Sequence, residues 1–121
     1  MIELLKNFPS NVVALAASGQ VTKEDYEKIV VPAVERALAQ HEKVRLYYQI
    51  GSDFAGIDPG AMWADTKVGM GHILKWERIA VITDVEWIKV SVTAFGFLMP
   101  AQVNVYSTAD AEAARKWISA T

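Results

Sequence analysis

The sequence predicts an α/β fold with a mixed sheet of about five strands and about four helices. Strand-like runs alternate with helical runs in the order β-β-α-β-α-β-α-β-α. The first two strand-like runs are separated only by turn-forming residues, which predicts an antiparallel hairpin ahead of a largely parallel sheet. The 121 residues contain no repeat, low-complexity segment or linker, so we expect residues 1–121 to form a single domain.

The first half of the chain contains the hairpin, the first helix and the clearest strand. The runs "IELLK" and "VVALAAS" flank the turn-forming "NFPSN". From Thr22 to about Gln40 the apolar residues follow helical spacing, with Thr22 as the expected N-cap. Pro32 lies inside this helix and predicts a kink. The run "KVRLYYQI" alternates with a period of two, as a strand does.

The second half continues the alternation of helices and strands. A second helix is predicted over "MWADTKVGMGHILKW", where Gly69 and Gly71 indicate close packing, a local break or a flexible segment. The apolar run "RIAVI" predicts an interior strand. A third helix, "EWIKVSVTAFGFLM", is expected to begin after an Asp84 cap and to end at Pro100. The strand "QVNVY" and the closing helix "TADAEAARKWISA" complete the order.

Composition excludes several classes of function. The net charge is −2 and the basic residues are scattered, so we expect no nucleic-acid partner. The absence of cysteine excludes disulfides, thiolate metal sites and a cysteine nucleophile. No apolar run is long enough for a transmembrane segment, and the N-terminal residues lack the pattern of a signal peptide. We therefore expect a cytoplasmic protein.

No catalytic constellation is visible, so we expect neither an enzyme nor a cofactor. His41 and His72 are the only histidines, and Asp65 lies two helical turns from His72, too far for a direct pair. That spacing offers no third ligand, so no metal site is expected. A cleft holding several aspartates with raised pKa values would indicate an enzyme instead. The aspartates that would form it are Asp53, Asp58, Asp65 and Asp84.

The loop "GSDFAGIDPGAMW" follows the clearest strand and precedes the second helix. Asp58 and Pro59 are typical of a helix start, which explains them without a ligand. Ligands of open α/β sheets gather outside the carboxyl ends of the strands, where this loop is expected to lie. The candidate ligand or partner loop consists of Asp53, Phe54, Gly56, Asp58 and Asp84.

The third helix carries more apolar surface than one face of a sheet requires. A helix that covers a sheet needs one apolar stripe, whereas this helix has two. The first stripe consists of Ile88, Val92, Phe95 and Met99, and the second of Trp87, Ala94 and Leu98, extended by Val90 and Phe97. We expect the surplus to meet the neighbouring helix, a partner chain or an apolar ligand. The candidate interface or pocket comprises Trp63, Met70, Leu74, Trp87, Ile88, Val92, Phe95 and Met99.

The element order and several short sequence stretches resemble a known family. The order is similar to that of the STAS domain, and "GAMWAD" and "WERIAVITDVEW" resemble the SpoIIAA-like branch of small bacterial proteins. Structure classifications place that branch close to CRAL-TRIO-like lipid-binding folds. The resemblance covers most of the chain and implies the fold, but it says much less about function.

The chain departs from the phosphorylatable members of that family at one loop. There, an Asp-Ser-Ser-Gly-Leu-like motif carries the serine that accepts phosphate, and the nearest match here is "DFAGI". Phe54 and Ala55 then occupy the serine positions, and neither has a hydroxyl group. Ser52 substitutes only if the loop is shifted in register. The phosphate switch is therefore expected to be absent.

These observations leave two hypotheses for the function. The first is a non-catalytic interaction or regulatory module of the STAS type, acting as a homodimer or with another protein partner through the second and third helices. The second is a small apolar-ligand or lipid-binding protein with a cleft between the same helices. The gas-phase mass of gently purified protein distinguishes them, because only the second predicts a bound molecule.

Overall fold

A five-stranded mixed sheet forms the centre of the molecule, which confirms the predicted fold class. The structure is a computed structural model that describes residues 1–57, 75–98 and 100–120, apart from the side chains of Ile57 and Phe95. The strands are β1 (Ile2–Leu4), β2 (Val12–Ala17), β3 (Gln20–Val21), β4 (Val44–Ile50), β5 (Gly56–Ile57), β6 (Trp76–Ile82) and β7 (Gln102–Tyr106). The helices are α1 (Lys23–Asp25), α2 (Val31–Gln40), α3 (Glu86–Gly96) and α4 (Ala111–Ser119).

The strand order in the sheet is β1-β2-β4-β6-β7. β1 pairs with β2 antiparallel, as the hairpin prediction requires, and the remaining neighbours pair in parallel. β3 and β5 form a separate two-residue parallel ladder that the sequence did not indicate. Because parallel strands end at the same edge of a sheet, the segments after β4, β6 and β7 all leave from one edge.

The first helical region begins where predicted and changes its geometry before Pro32. Thr22 and Asp25 form a reciprocal capping box, in which each side chain accepts the other residue's backbone N–H. A π-helical turn, Tyr26–Val30, then joins α1 to α2. Pro32 lies in the first turn of α2, where its missing N–H costs least. The proline thus begins a new helical segment instead of interrupting a uniform helix.

Helices cover both faces of the sheet, and successive side chains of β4 contact them alternately. Leu46 and Tyr48 pack with the apolar residues of α2, whereas Tyr47 packs on the opposite face against α4. Tyr48 also borders the cluster that contains Ile88, so α2 and α3 share one side of the sheet. Trp76 is buried in the cluster beneath α2 and is the first residue of β6, which corrects its assignment to the second helix.

Arginine side chains hold α4 onto the sheet. Arg45 is buried, and it donates hydrogen bonds to the Glu77 carboxylate and to the carbonyl oxygens of Ile118 and Ala120. Arg78 donates to the Trp117 carbonyl at 2.8 Å. The last carbonyls of a helix have no partner within it, so these guanidinium groups satisfy them and place positive charge at the negative end of the helix dipole.

Candidate functional site

The loop after β4 is held by backbone hydrogen bonds to the end of β2 and to the turn that follows it. Gly51 N–H donates to the Ala17 carbonyl at 2.9 Å, and Ala55 N–H donates to the Gly19 carbonyl at 2.8 Å. Gly56 has a φ of 135°, a conformation that side chains strongly disfavour, and it pairs with Gln20 in the β3–β5 ladder. Gly56 is therefore explained by the path of the backbone and needs no ligand.

Asp53 and Phe54 precede the predicted helix start at Asp58 and are not explained by it. The two residues have different surroundings. Phe54 is half-buried and packs against the cluster of Ile50, Val81 and Ile88. Asp53 is exposed, and its Oδ1 lies 2.9 Å from the point that a Cβ on Gly51 would occupy. Phe54 thus packs onto the core, whereas the aspartate before it faces solvent. Asp58, the other acidic residue predicted for this loop, lies outside the described residues.

Asp84 connects the ends of two neighbouring strands. Its Oδ1 accepts a hydrogen bond of 2.9 Å from the Thr108 N–H, just beyond β7. This backbone hydrogen bond lowers the pKa of Asp84 below its ordinary value. The prediction that Asp84 caps α3 is corrected, because α3 begins at Glu86 and the residue directly before it is Val85, whereas the Asp84 carboxylate binds Thr108. Next to it, the buried Thr83 accepts a hydrogen bond from the Val85 N–H through its hydroxyl.

Helix α3 has one face on the sheet and one face in solvent. Ile88 is 6% exposed and packs against Ile50 and Val81, and Val92 packs against the same cluster. Both residues belong to the chain's own core, so the structure removes them from the predicted interface. Large apolar side chains away from the sheet are exposed, two of them on α3 (Trp87 by 64% and Val90 by 67%) and two in the turn that follows it (Phe97 by 86% and Leu98 by 79%).

The exposed face of α3 is the candidate functional site. A shallow, open groove of about 490 Å³ runs along it. The described residues that line the groove are Lys89, Val90, Thr93, Ala94 and Phe97. Of the other residues predicted for the interface or pocket, Met99 and the side chain of Phe95 lie outside the described part, as do Trp63, Met70 and Leu74.

Some polar contacts found in the structure had no signal in the sequence. The Tyr26 and Tyr48 hydroxyls lie 3.3 Å apart, and His41 Nε2 lies 2.9 Å from Ser10 Oγ. Burial raises the pKa of Tyr47, whose ring packs 4.8 Å from that of Phe8. The paired residues are at least 22 positions apart, and the pKa of Tyr47 depends on burial. The spacing of residues in the sequence indicates neither long-range contacts nor burial.

Within the described ranges, no three histidine, aspartate or glutamate side chains gather as metal ligands would. Over the same residues, no helix has the length and apolar character that crossing a membrane requires.

Comparison with known proteins agrees with the fold. An uncharacterised protein with a SpoIIAA-like fold from Shewanella loihica PV-4 is similar in structure, with a TM-score of 0.73 and 25% sequence identity. The alignment covers 95% of this chain and 92% of that one. No curated protein matches the chain. The SpoIIAA-like family model matches residues 12–119, and the chain therefore belongs to the SpoIIAA-like family.

Proposed function

We propose that this protein is a single-domain, non-catalytic interaction module that associates with a second copy of itself through the exposed face of α3. The observation that carries the proposal is the set of large exposed apolar side chains on that face and in the turn after it, namely Trp87 and Val90 on α3, and Phe97 and Leu98 beyond its end. Removing apolar surface from water lowers the free energy by roughly 25 cal/mol per Å². Several large exposed apolar side chains within one short segment are typical of an interaction surface.

The loop after β4 supports a module that works by contact alone. Phe54 occupies the position where phosphorylatable relatives are expected to carry serine, and it packs into the core. Asp84, at the neighbouring strand end, has a lowered pKa because the Thr108 N–H binds its charged form. A carboxylate of that kind is a poor general acid. These observations favour binding over chemistry at this edge of the sheet.

Sedimentation equilibrium at micromolar concentrations tests the proposal, with two single-residue variants as a matched pair. Val90→Asp places a charge in the middle of the exposed apolar face, whereas Ser91→Asp places the same charge one residue away on its flank. We expect a dimer for the native chain and for Ser91→Asp, and a monomer for Val90→Asp. A monomeric native chain, or equal dissociation of both variants, would contradict the proposal.

The groove on α3 favours a second candidate function, the binding of a small apolar ligand or lipid. Its volume of about 490 Å³ is within the range of ligand sites, and Val90, Ala94 and Phe97 give it an apolar lining. Ligand sites usually enclose most of their ligand, whereas this groove is open, so it ranks second. Native mass spectrometry distinguishes the two, because a bound ligand adds mass to one chain and a dimer doubles it.

A further inference from the structure

β7 forms one edge of the five-stranded sheet, and half of its backbone groups face away from the sheet. The Thr83 N–H donates to the Tyr106 carbonyl at 2.9 Å, so the backbone groups of Tyr106 face β6. Successive residues of a strand direct these groups to opposite sides, so those of Asn104 also face β6, whereas those of Val103 and Val105 face outward. Within the described part of the chain, the N–H and C=O groups of these two valines therefore have no strand partner.

β7 lacks the features that usually keep the edge of a sheet from pairing. Such edges are commonly short, charged, or interrupted by proline or a bulge. β1, at the other edge, has three residues and contains the charged Glu3. β7 has five residues, "QVNVY", without charge or proline, and its register with β6 is unbroken. This edge is therefore suited to pairing with another strand.

The sequence of β7 favours a second copy of the same strand as the partner. A two-fold axis through Asn104, the middle residue, pairs the whole strand antiparallel with its copy. Asn104 then faces its own copy, and Val103 faces the partner's Val105, so that every outward backbone group forms a hydrogen bond. Facing β-branched side chains stabilise neighbouring strands, and no like charges oppose each other. An unrelated strand would form the backbone bonds without these matched side chains.

The contact between α3 and β7 places this edge next to the exposed apolar residues. Gly96, the last residue of α3, lies against Val103, with 3.1 Å between the Val103 Cβ and a Cβ built on the glycine. Phe97 and Leu98 follow Gly96 directly and are exposed. The edge of the sheet and the apolar surface at the end of α3 therefore adjoin, so a single association can use both.

Resting on the proposed self-association, we infer that two chains join edge to edge through β7, antiparallel about Asn104, so that their sheets form one continuous sheet. The outward backbone groups of Val103 and Val105 set the register of this contact. An extended segment of another protein would use the same groups, but it would not place position 104 of one chain against position 104 of another.

Disulfide trapping tests the register, because the chain has no native cysteine. The probe is Asn104→Cys and the control is Gln102→Cys, since both residues are exposed and lie on the same face of β7. Two copies of position 104 form a pair without backbone hydrogen bonds, whose Cα atoms are about 4.5 Å apart and within reach of a disulfide. Two copies of position 102 are offset by about 13 Å along the strand, which exceeds that reach.

We expect several times more oxidised dimer from Asn104→Cys than from Gln102→Cys. Equal yields from the two variants would indicate random collision and overturn the inference. A native chain that dimerises while Asn104→Cys resists trapping would also overturn it.

Charge exchange at position 104 tests the same contact without oxidation. Asn104→Lys and Asn104→Glu each bring like charges face to face across the two-fold axis. Sedimentation equilibrium is expected to show that each variant alone dissociates at a concentration where the native chain is dimeric, and that an equimolar mixture dimerises again. Single variants that dimerise as tightly as the native chain would overturn the inference.

The same measurements separate this inference from the proposed function. A dimer that Val90→Asp dissociates and Asn104→Lys leaves intact overturns the edge pairing and keeps the contact through α3. A dimer that only Asn104→Lys dissociates supports the edge pairing and overturns the contact through α3. A monomeric native chain overturns both, and leaves the edge of β7 to an extended segment of another protein.

Discussion

Gly96, the last residue of α3, lies directly against Val103 of β7. A Cβ built on Gly96 would be 3.1 Å from the Val103 Cβ, closer than side chains normally approach each other. This contact brings the end of α3 onto the edge strand of the sheet. It also fixes the direction in which the exposed face of α3 points, because the opposite side of the helix is then turned towards solvent.

Replacing Gly96 with valine is expected to lower the free energy of unfolding by about 1–3 kcal/mol, the usual cost of overpacking. The added side chain has to displace either α3 or Val103. Urea denaturation of Gly96→Val, Val103→Ala and the double variant provides the measurement. We expect the double variant to be more stable than the sum of the single changes implies. Simple additivity would show that the valine added at position 96 does not press on the Val103 methyl groups.

Removal of the Arg45 guanidinium is expected to detach the end of α4 from the sheet. Arg45→Met keeps much of the side chain's volume but leaves the carbonyls of Ile118 and Ala120 without this donor. The Ala120 carbonyl keeps a hydrogen bond of 3.1 Å from Arg78, so the Ile118 carbonyl is the one that loses its guanidinium donor. An unpaired buried group costs about 1–3 kcal/mol, and we expect a loss of that size in urea denaturation. Glu77→Gln is the control, because the Glu77 side chain is half-exposed and its replacement leaves those carbonyls bound. Equal losses for both variants would assign the effect to the ion pair instead.

The capping box makes stability depend on pH. The Thr22 N–H binds the Asp25 carboxylate at 2.9 Å and, with smaller contributions from the Thr22 hydroxyl and the terminal amino group, lowers the Asp25 pKa below its ordinary value of 3.8. A lowered folded-state pKa means that the stabilisation is complete above the unfolded-state value and is lost as the pH falls through the folded-state value.

We therefore expect Asp25→Asn to be less stable than the native chain at pH 7, and the difference to shrink as the pH falls below about 3.8. Thermal unfolding from pH 7 to pH 2 measures this difference. Glu27→Gln is the control, since the Glu27 carboxylate lies at the surface and forms an exposed ion pair with Lys23. A difference between Asp25→Asn and the native chain that stays constant down to pH 2 would exclude the carboxylate as the cause.

Local patterns predicted most of the fold, and they failed where two patterns overlap. The alternation in "KVRLYYQI" correctly assigned Leu46 and Tyr47 to opposite faces of the sheet, because successive side chains of this strand do pack on opposite sides. Trp76 was misassigned, since an aromatic residue between a helix and a strand suits both. The π-turn before Pro32 had only the proline as a signal. Asp84 was read as a cap because its partner, Thr108, is 24 positions away.

The sequence predicted that the third helix carries a surplus of apolar surface, but not which of its faces is exposed. The sequence indicated two apolar stripes on the third helix, but both are equally apolar, and only contact with Ile50 and Val81 identifies the stripe of Ile88 as the buried one. Likewise, "DFAGI" indicated the missing hydroxyl, whereas the packing of Phe54 into the core required the fold.

Ile88 and Trp87 are neighbours in sequence, and they are expected to respond differently to truncation. Ile88→Ala removes buried methyl and methylene groups from the cluster with Ile50 and Val81, so we expect a loss of about 2–4 kcal/mol. Trp87 is 64% exposed, so Trp87→Ala is expected to change the stability of the monomer by less than about 1 kcal/mol. Urea denaturation at submicromolar concentration, where the proposed dimer dissociates, isolates the monomer. A large loss for Trp87→Ala under these conditions would show that Trp87 packs within its own chain and would exclude it from the proposed interface.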